Sequence, residues 1–342
     1  MMMFALPRPM PHNDGSMPSV FSQYASAPVR ALAWIGRQGT RAVAALVFIG
    51  IALPPLGAVL RPFVTEAIFL LLCVSFMRVD LAALRRHLRR PGLVLAATAW
   101  TVIVIPVVVG AASLAIGFDK HEPGLFLGLM LQTAASPMMA APALAALMGL
   151  DATLVLIALV TCTALVPFTA PLFAYAFLGT ALTLTPAALG LKLFAILAGS
   201  LLVAAAIRWI AGVEAIERHR DPIDGFNILL MLVFVTAVMG NVVPSFAAAP
   251  LPTLAALLLA FALFFGLLGS TMLVFRRLGK EHALVLGLLV AQRNMGLMLA
   301  AAGGVLPAGT WLYFALSQFP IYLTPQLLRP LARASTAQVT QA

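Results

Sequence analysis

The sequence is poor in charge, and poorest in acids. Of its 342 residues only 9% are charged, and eleven residues are Asp or Glu. A soluble domain carries about 25% charged residues, so a chain that is 62% hydrophobic cannot form an ordinary water-facing surface. This shortage excludes a typical soluble protein and indicates a chain that crosses a lipid bilayer several times.

Cysteine and enzyme motifs are scarce as well. Cys73 and Cys162 lie far apart in apolar stretches, with no CxxC or Cys/His cluster, which excludes a disulfide framework and a cysteine metal centre. The apolar stretches carry no HExxH, Gly-x-Ser-x-Gly or Asp-rich prenyl-diphosphate motif, which disfavours an intramembrane enzyme. The net charge of +10 does not indicate a nucleic-acid partner, because the basic residues fall in short loops between apolar runs.

Long apolar runs are what the sequence does have. Runs of 18 or more residues predict helices, since a spanning segment must satisfy its own backbone groups. We predict an all-α membrane protein with ten transmembrane helices, at about 43–60, 64–79, 93–117, 124–148, 152–178, 186–210, 224–243, 252–275, 282–304 and 311–329. Residues 1–42 are predicted to be a partly disordered cytoplasmic segment, in which 20–41 form either a surface helix or a disordered tail, and 331–342 a disordered tail.

The basic residues predict the orientation. They gather in alternate loops, and all but four of the 21 Lys and Arg fall on one side of the predicted membrane. Positive charge marks cytoplasmic loops, so we expect a multi-pass protein of the cell membrane with both termini in the cytoplasm. The exceptions are Arg61, Lys120, Lys192 and Arg293.

Arg293 differs from the other exceptions because it lies inside an apolar run. Gln292-Arg293-Asn294 interrupts a stretch that is otherwise apolar from Ala283 to Val305. A charge at bilayer depth costs roughly 2.5–3.5 kcal/mol, so such residues usually face a cavity, a partner or a substrate. We expect this stretch to be the functional site.

The two halves of the chain share a pattern. Each places a polar, helix-interrupting stretch in its fourth span and two prolines in its fifth; these are Gln132–Pro142 with Pro167 and Pro171, and Gln292–Gly296 with Pro320 and Pro325. Ten spans with both ends on one side divide into two inverted repeats of five helices. Broken helices at matching positions of two halves are typical of a transporter's binding site.

Five motifs occur in order within residues 43–330. They are Leu53-Pro54-Pro55-Leu56-Gly57 with Arg61-Pro62, the basic hairpin Asp80 to Pro91, Ile105-Pro106, Ser136-Pro137 and Arg293-Asn294-x-Gly296-Leu297. Together they resemble the bile acid:sodium symporter family. The resemblance implies a panel of residues 43–91 and 186–249, a core of 92–180 and 250–330, discontinuous helices 4 and 9 that cross at the site, and symport of organic anions with sodium.

The chain departs from this family at the positions that the resemblance assigns to sodium. The family's oxygen ligands fall here on Pro142, Ala143, Val155, Leu159, Leu289 and Arg293, and a further Gln falls on Thr101, whereas the neighbouring Asn is kept as Asn294. All eleven acids are expected in tails, loops or span ends. We therefore expect no cofactor and no metal, with sodium disfavoured, and we hypothesise that the Arg293 guanidinium supplies the positive charge itself.

These observations predict a transporter of a small or amphipathic organic anion. Arg293 is expected to pair with the anion, Gln292, Asn294, Ser136 and Gln318 to orient it, and Pro137, Pro142 and Gly296 to break the helices. An inorganic oxyanion carrier stays open, although the arsenite carriers related to this family have a cysteine in span 4 that is missing here. A non-transporting membrane sensor also stays open. The expected partners are the organic anion and the lipid bilayer.

Overall fold

The structure, a computed structural model, describes residues 27–78, 91–148, 150–178, 184–303 and 306–339. These residues form helices and turns, with one isolated backbone bridge. Most of the predicted N-terminal segment and residues 80–90 of the basic hairpin lie outside the described ranges. The described elements therefore confirm an all-α protein.

We number the helices in chain order. They are α1 Ala27–Ala52, α2 Pro54–Met77, α3 Gly92–Ala115, α4 Phe118–His121, α5 Pro123–Ala134, α6 Ala141–Leu147, α7 Ala152–Phe177, α8 Pro186–Ala211, α9 Val213–Arg218, α10 Arg220–Ala248, α11 Pro250–Val274, α12 Lys280–Ala291, α13 Met295–Ala302 and α14 Ala308–Val339.

Six of these helices are long and apolar enough to cross a bilayer. They are α2, α3, α7, α8, α10 and α11, with 24 to 29 residues each. At 1.5 Å per residue, 24 residues extend about 36 Å, more than the ~30 Å of a hydrocarbon core. The protein is thus a multi-pass membrane protein that associates with the lipid bilayer.

The boundary between the first two helices differs from the prediction. We placed it between residues 60 and 64, but α1 ends at Ala52 and α2 runs through Arg61 by way of a 3-10 turn. The break falls on Leu53, which has an extended φ of −121° and precedes Pro54. A residue before proline is disfavoured in the helical region, whereas proline is tolerated in a helix's first turn.

The corrected boundary changes the expected position of one acidic residue within its helix. Glu66 was expected near a span end, but it lies about halfway along α2, between Pro54 and Met77. Its side chain is exposed, as are those of Phe63 and Leu70 on the same helical face. The expectation that no carboxylate lies within a span is therefore wrong for Glu66.

The last helix extends into the predicted C-terminal tail. We expected residues 331–342 to be a disordered tail, but α14 continues to Val339. Beyond Pro330 the sequence contains no Gly or Pro, and its alanines favour helix, so nothing in the sequence ends the helix there.

Ion pairs tie several helices together at one end of the bundle. Arg78, just after α2, pairs with Asp224 of α10, and Arg37 of α1 lies 3.9 Å from Asp221 of α10. Arg208, near the end of α8, donates to the carbonyl of Met77 at 3.0 Å. The start of α1, the end of α2, the end of α8 and the start of α10 thus share one end.

A buried apolar cluster joins six of the described helices. Its members come from α3, α6, α7, α11, α12 and α14. Fully buried Phe264 of α11 packs there with Leu284 and Leu288 of α12. This cluster fixes the position of α12, which leads directly into the polar stretch around Arg293.

Candidate functional site

Two interrupted helices meet through their backbones. The first pair, α5 and α6, is separated by residues 135–140, and the second, α12 and α13, by residues 292–294. The two breaks lie antiparallel: the Met138 N–H donates to the Gln292 carbonyl at 2.7 Å, and the Asn294 N–H donates to the Ser136 carbonyl at 2.8 Å. Each break therefore supplies hydrogen-bond partners to backbone groups of the other break that have none in their own helix.

Local sequence explains where the helices stop. Pro137 has no N–H and restricts Ser136 before it, so α5 ends at Ala134 with Ala135 in an extended conformation (φ −66°, ψ 152°). Pro142 stands in the first turn of α6, where a missing N–H is tolerated. In the second break Asn294 caps α13, because its side-chain oxygen accepts from the Leu297 N–H at 3.1 Å.

Arg293 lies at the centre of this crossing, and only 1% of its surface is exposed. Its Nη1 donates to the Ala135 carbonyl at 2.9 Å and to the Thr101 carbonyl at 3.3 Å, and its Nη2 donates to the same Thr101 carbonyl at 3.3 Å. The guanidinium thus joins the end of α5, the middle of α3 and its own break. We predicted a residue that pairs with an anion, and the structure shows a cation engaged with carbonyls.

Pro106 explains why the Thr101 carbonyl is available. Residues Trp100–Val104 form a π-helical turn in which the Ile105 N–H donates to the Trp100 carbonyl, five residues back. The next bond of this pattern would run from residue 106 to Thr101, and proline cannot donate it. The sequence element Ile105-Pro106 therefore creates the acceptor that Arg293 uses.

The charge of Arg293 is not neutralised by an acid within the described ranges. The ion pairs found there involve Arg37, Arg78 and Arg220. The Nε–H of Arg293 also has no hydrogen-bond partner among these residues. A buried charge without a counter-ion is costly, so an anion close to the guanidinium would be stabilised by it.

The positions that the resemblance assigns to sodium do not fit that ion. Val155, Leu159 and Leu289 are buried and apolar, whereas hard cations take about six oxygen ligands. The Thr101 and Ala135 carbonyls already accept from the guanidinium. Across the described residues, no group of three or more His, Cys, Asp or Glu side chains could hold a metal.

A cavity of about 120 Å³ lies beside the crossing, between α2, α10 and the two breaks. Four of the predicted site residues line it: Arg293, Asn294, Gly296 and Gln318. Gly296 was expected to break the helix, but it lies in the first turn of α13. The other polar lining residues are Ser75, Asn227 and Tyr322, and the rest of the wall is apolar. The cavity thus offers neutral amides and hydroxyls around one buried cation.

Gln292 and Ser136 do not line this cavity. Gln292 is fully buried and faces α14, where its Nε2 donates to the Ile321 carbonyl at 3.2 Å and to the Thr324 hydroxyl. Ser136 is fully buried too, and its hydroxyl has no partner in the described structure. Both residues hold the crossing in shape, and neither is placed to touch a molecule in the cavity.

The helix α14 fixes both interrupted helices. Near its start, the Tyr313 hydroxyl donates to Oε1 of Gln132 in α5 at 2.6 Å, and near its middle Thr324 accepts from Gln292. Gln318, between them, donates to the Phe314 carbonyl at 3.1 Å and also reaches the cavity. One helix therefore contacts α5, the second break and the cavity.

Four methionines also line the cavity and were not predicted. Met138 and Met139 lie in the first break, Met231 in α10 and Met295 at the start of α13. The pair Met138-Met139 beside Pro137 was visible in the sequence, but methionine alone does not distinguish a binding wall from a core. Thioether side chains adapt to irregular apolar ligands.

No known family model and no curated protein matches this chain. The likeness to the bile acid:sodium symporter family therefore rests on the ordered motifs in the sequence.

Proposed function

We propose that the protein is a secondary transporter that moves a small or amphipathic organic anion across the cell membrane, in the manner of the bile acid:sodium symporter family. The observation that carries this proposal is the buried, unneutralised guanidinium of Arg293 beside a cavity at a helix crossing. Discontinuous helices near the middle of a membrane domain are typical of transporter sites.

The proposal includes ten membrane crossings in two inverted halves. Besides the six long apolar helices, α1, α14 and the two interrupted pairs α5/α6 and α12/α13 complete this number. Each half then has its interrupted helix in fourth position, followed by a proline-containing helix. The proposed core comprises the helices of the shared apolar cluster together with α5 and α13, and the proposed panel comprises α1, α2, α8 and α10.

The chemistry of the cavity favours a ligand with one negative charge and an apolar body. One buried cation contributes to the site, and the remaining polar groups on the wall are neutral. An anion near Arg293 would neutralise a charge that otherwise stays unpaired at bilayer depth. The apolar remainder of the wall, including Ile68 and Phe234, would cover the body of the ligand.

The test is uptake into proteoliposomes that contain the purified protein. Butyrate, benzoate and cholate serve as carboxylates of increasing size, and phosphate represents the oxyanions. We expect saturable uptake of at least one carboxylate, reduced tenfold or more by Arg293→Gln and unchanged by Arg276→Gln, which removes an exposed charge outside α11. Saturable uptake of phosphate alone would instead support an oxyanion carrier. Binding without uptake would support a membrane sensor.

A further inference from the structure

A second cavity lies between α7 and α8 and reaches the first break at Met139. It measures about 600 Å³ and is bounded by one face of α8 from Phe194 to Arg208, by residues 160–167 of α7, and by Phe76 and Met139. We call it the α7–α8 trough. It shares only Met139 with the cavity beside Arg293.

The α8 wall of the trough is long. It repeats every three or four residues, through Phe194, Leu197, Leu201, Ala204 and Arg208, which places these side chains on one helical face. The fourteen steps from Phe194 to Arg208, at 1.5 Å each, give a length of about 21 Å. Ala198, Ala204 and Ala205 on this face are small, and a wall of this length matches an extended acyl chain.

The trough opens sideways towards the surroundings of the helix bundle. Phe194 is 54% exposed and Leu201 is 53% exposed, although both are large and apolar. The most apolar window of α8 is only 22% buried. Because α8 is long and apolar enough to cross the membrane, hydrocarbon suits these exposed side chains, and a lipid chain in the bilayer would reach the trough without passing through water.

One end of the trough is cationic. Arg208 lines it there and donates to the Met77 carbonyl at 3.0 Å. Met77 belongs to a small apolar cluster with Ala204 and Ile216. A polar cavity of about 230 Å³, lined by Arg78 and Arg220 with Glu217, adjoins this cluster at Ile216. Arg78 and Arg220 already pair with Asp224, so Arg208 is the side chain at this end that suits a phosphate, which arginine binds with paired donors.

We propose that the α7–α8 trough binds an anionic phospholipid of the surrounding bilayer, with one acyl chain along the trough and the phosphate at Arg208. Basic pockets between transmembrane helices suit anionic headgroups in this way. The apolar length fits a chain, the lateral opening supplies a lipid, and the charge at one end selects the headgroup. This site is separate from the proposed transport site.

Thr163 provides an internal check on the ligand's chemistry. It lines the trough, is only 6% exposed, and its hydroxyl has no partner in the described part of the chain. A hydrocarbon chain has no acceptor for this hydroxyl, so Thr163→Val should leave phospholipid binding unchanged. Loss of binding in that variant would indicate a ligand with a polar group along its body, and the phospholipid assignment would be wrong.

The experiment measures lipid retention by native mass spectrometry on the purified full-length protein, with dioleoyl phosphatidylglycerol against dioleoyl phosphatidylcholine. We expect the anionic lipid to bind about fivefold more tightly, the scale of one basic residue near a membrane surface. Arg208→Gln should abolish this preference, and Arg208→Lys should keep most of it. Ala205→Phe, which fills the trough, should weaken both lipids, whereas Ala206→Phe on the neighbouring exposed position should not.

Three outcomes would overturn the proposal. One is equal binding of the two lipids to the unaltered protein, and another is undiminished binding in Ala205→Phe. The third is binding of oleate by a protein that has no affinity for phosphatidylglycerol, which would assign the trough to a free amphipathic anion. Size-exclusion profiles check that each variant is folded. If Arg208→Gln does not fold, the comparison of Arg208→Lys, Ala205→Phe and Ala206→Phe still tests the proposal. Because the readout is lipid retention, failure of transport does not affect it.

Discussion

The strongest prediction concerns what Arg293 does, and Arg293→Ala with chemical rescue decides it. The substitution removes three hydrogen bonds and deprives two carbonyls, those of Thr101 and Ala135, of their guanidinium donors. A buried acceptor left without a partner costs about 1–3 kcal/mol, which totals roughly 2–6 kcal/mol. Removing an unneutralised charge at bilayer depth stabilises the folded protein by about 2.5–3.5 kcal/mol. The two effects largely cancel, so we expect a folded variant that is less stable by about 1 kcal/mol.

The vacated space should then accept a small cation with matching donors. We expect methylguanidinium at low millimolar concentration to raise the melting temperature of Arg293→Ala but not that of the unaltered protein, each compared with potassium chloride at equal ionic strength. At ten times its Kd, such a ligand stabilises by about 1.4 kcal/mol. Arg276→Ala, which removes an exposed arginine, is the matched control and should not respond.

Anion binding to the same variants separates the two roles of Arg293. If the guanidinium supplies positive charge to the cavity, Arg293→Ala should weaken carboxylate binding by about 2 kcal/mol or more, as when one partner of a desolvated charge pair is lost, and methylguanidinium should restore part of it. Unchanged stability, unchanged anion affinity and no rescue would together refute the reasoning. Rescue of stability without any change in anion affinity would make Arg293 purely structural.

Three further predictions follow from the charges of the chain. Replacing sodium by potassium or choline at fixed ionic strength should leave anion uptake or binding unchanged, and a sodium-specific rise of tenfold or more would show a surviving cation site. Reporter fusions at Ala342 and near Asp119 should lie in opposite compartments, and the same compartment for both would contradict the ten-span arrangement. Glu66→Leu should raise the melting temperature, because it removes an exposed carboxylate from the middle of an apolar helix, and should leave uptake unchanged; loss of uptake would assign Glu66 a coupling role.

Composition was enough to predict the fold class, because a chain with so few charges and such long apolar runs is expected to form helices in a bilayer. The prolines also carried local information: α5 stops just before Ser136-Pro137, and α2 begins at Pro54. The boundary at Leu53 was nevertheless misplaced, because we took Arg61-Pro62 as the interruption. A proline in the first turn of a helix and a proline inside a helix differ in whether a nearby carbonyl loses its N–H donor. The sequence alone does not show which of these applies.

The hydrogen-bond partners of the polar residues depend on how the helices pack, and the spacing of residues in the sequence does not show this. Gln292 and Arg293 are adjacent in sequence, yet the first faces α14 and the second faces α3 and α5. The Thr101 carbonyl is available because of Pro106, five residues later, and it lies 192 positions from Arg293. Sequence could indicate that Arg293 needs partners, but only the structure shows that carbonyls are among them.

The carbonyl contacts bear on coupling as well as on position. Unwound carbonyls and helix ends are the groups that coordinate cations in many transporters, and here Arg293 binds two of them. A second cation about 4 Å away would meet a repulsion of about 4 kcal/mol at an effective dielectric near 20. A carrier with this arrangement would hold its positive charge permanently, so an anion would bind to charge that is already in place. In the proposed carrier the loaded site would cross as a neutral pair and the empty site would return as a cation. Each cycle would therefore carry the charge of the anion, and the driving force would be the anion's electrochemical gradient or exchange against another anion.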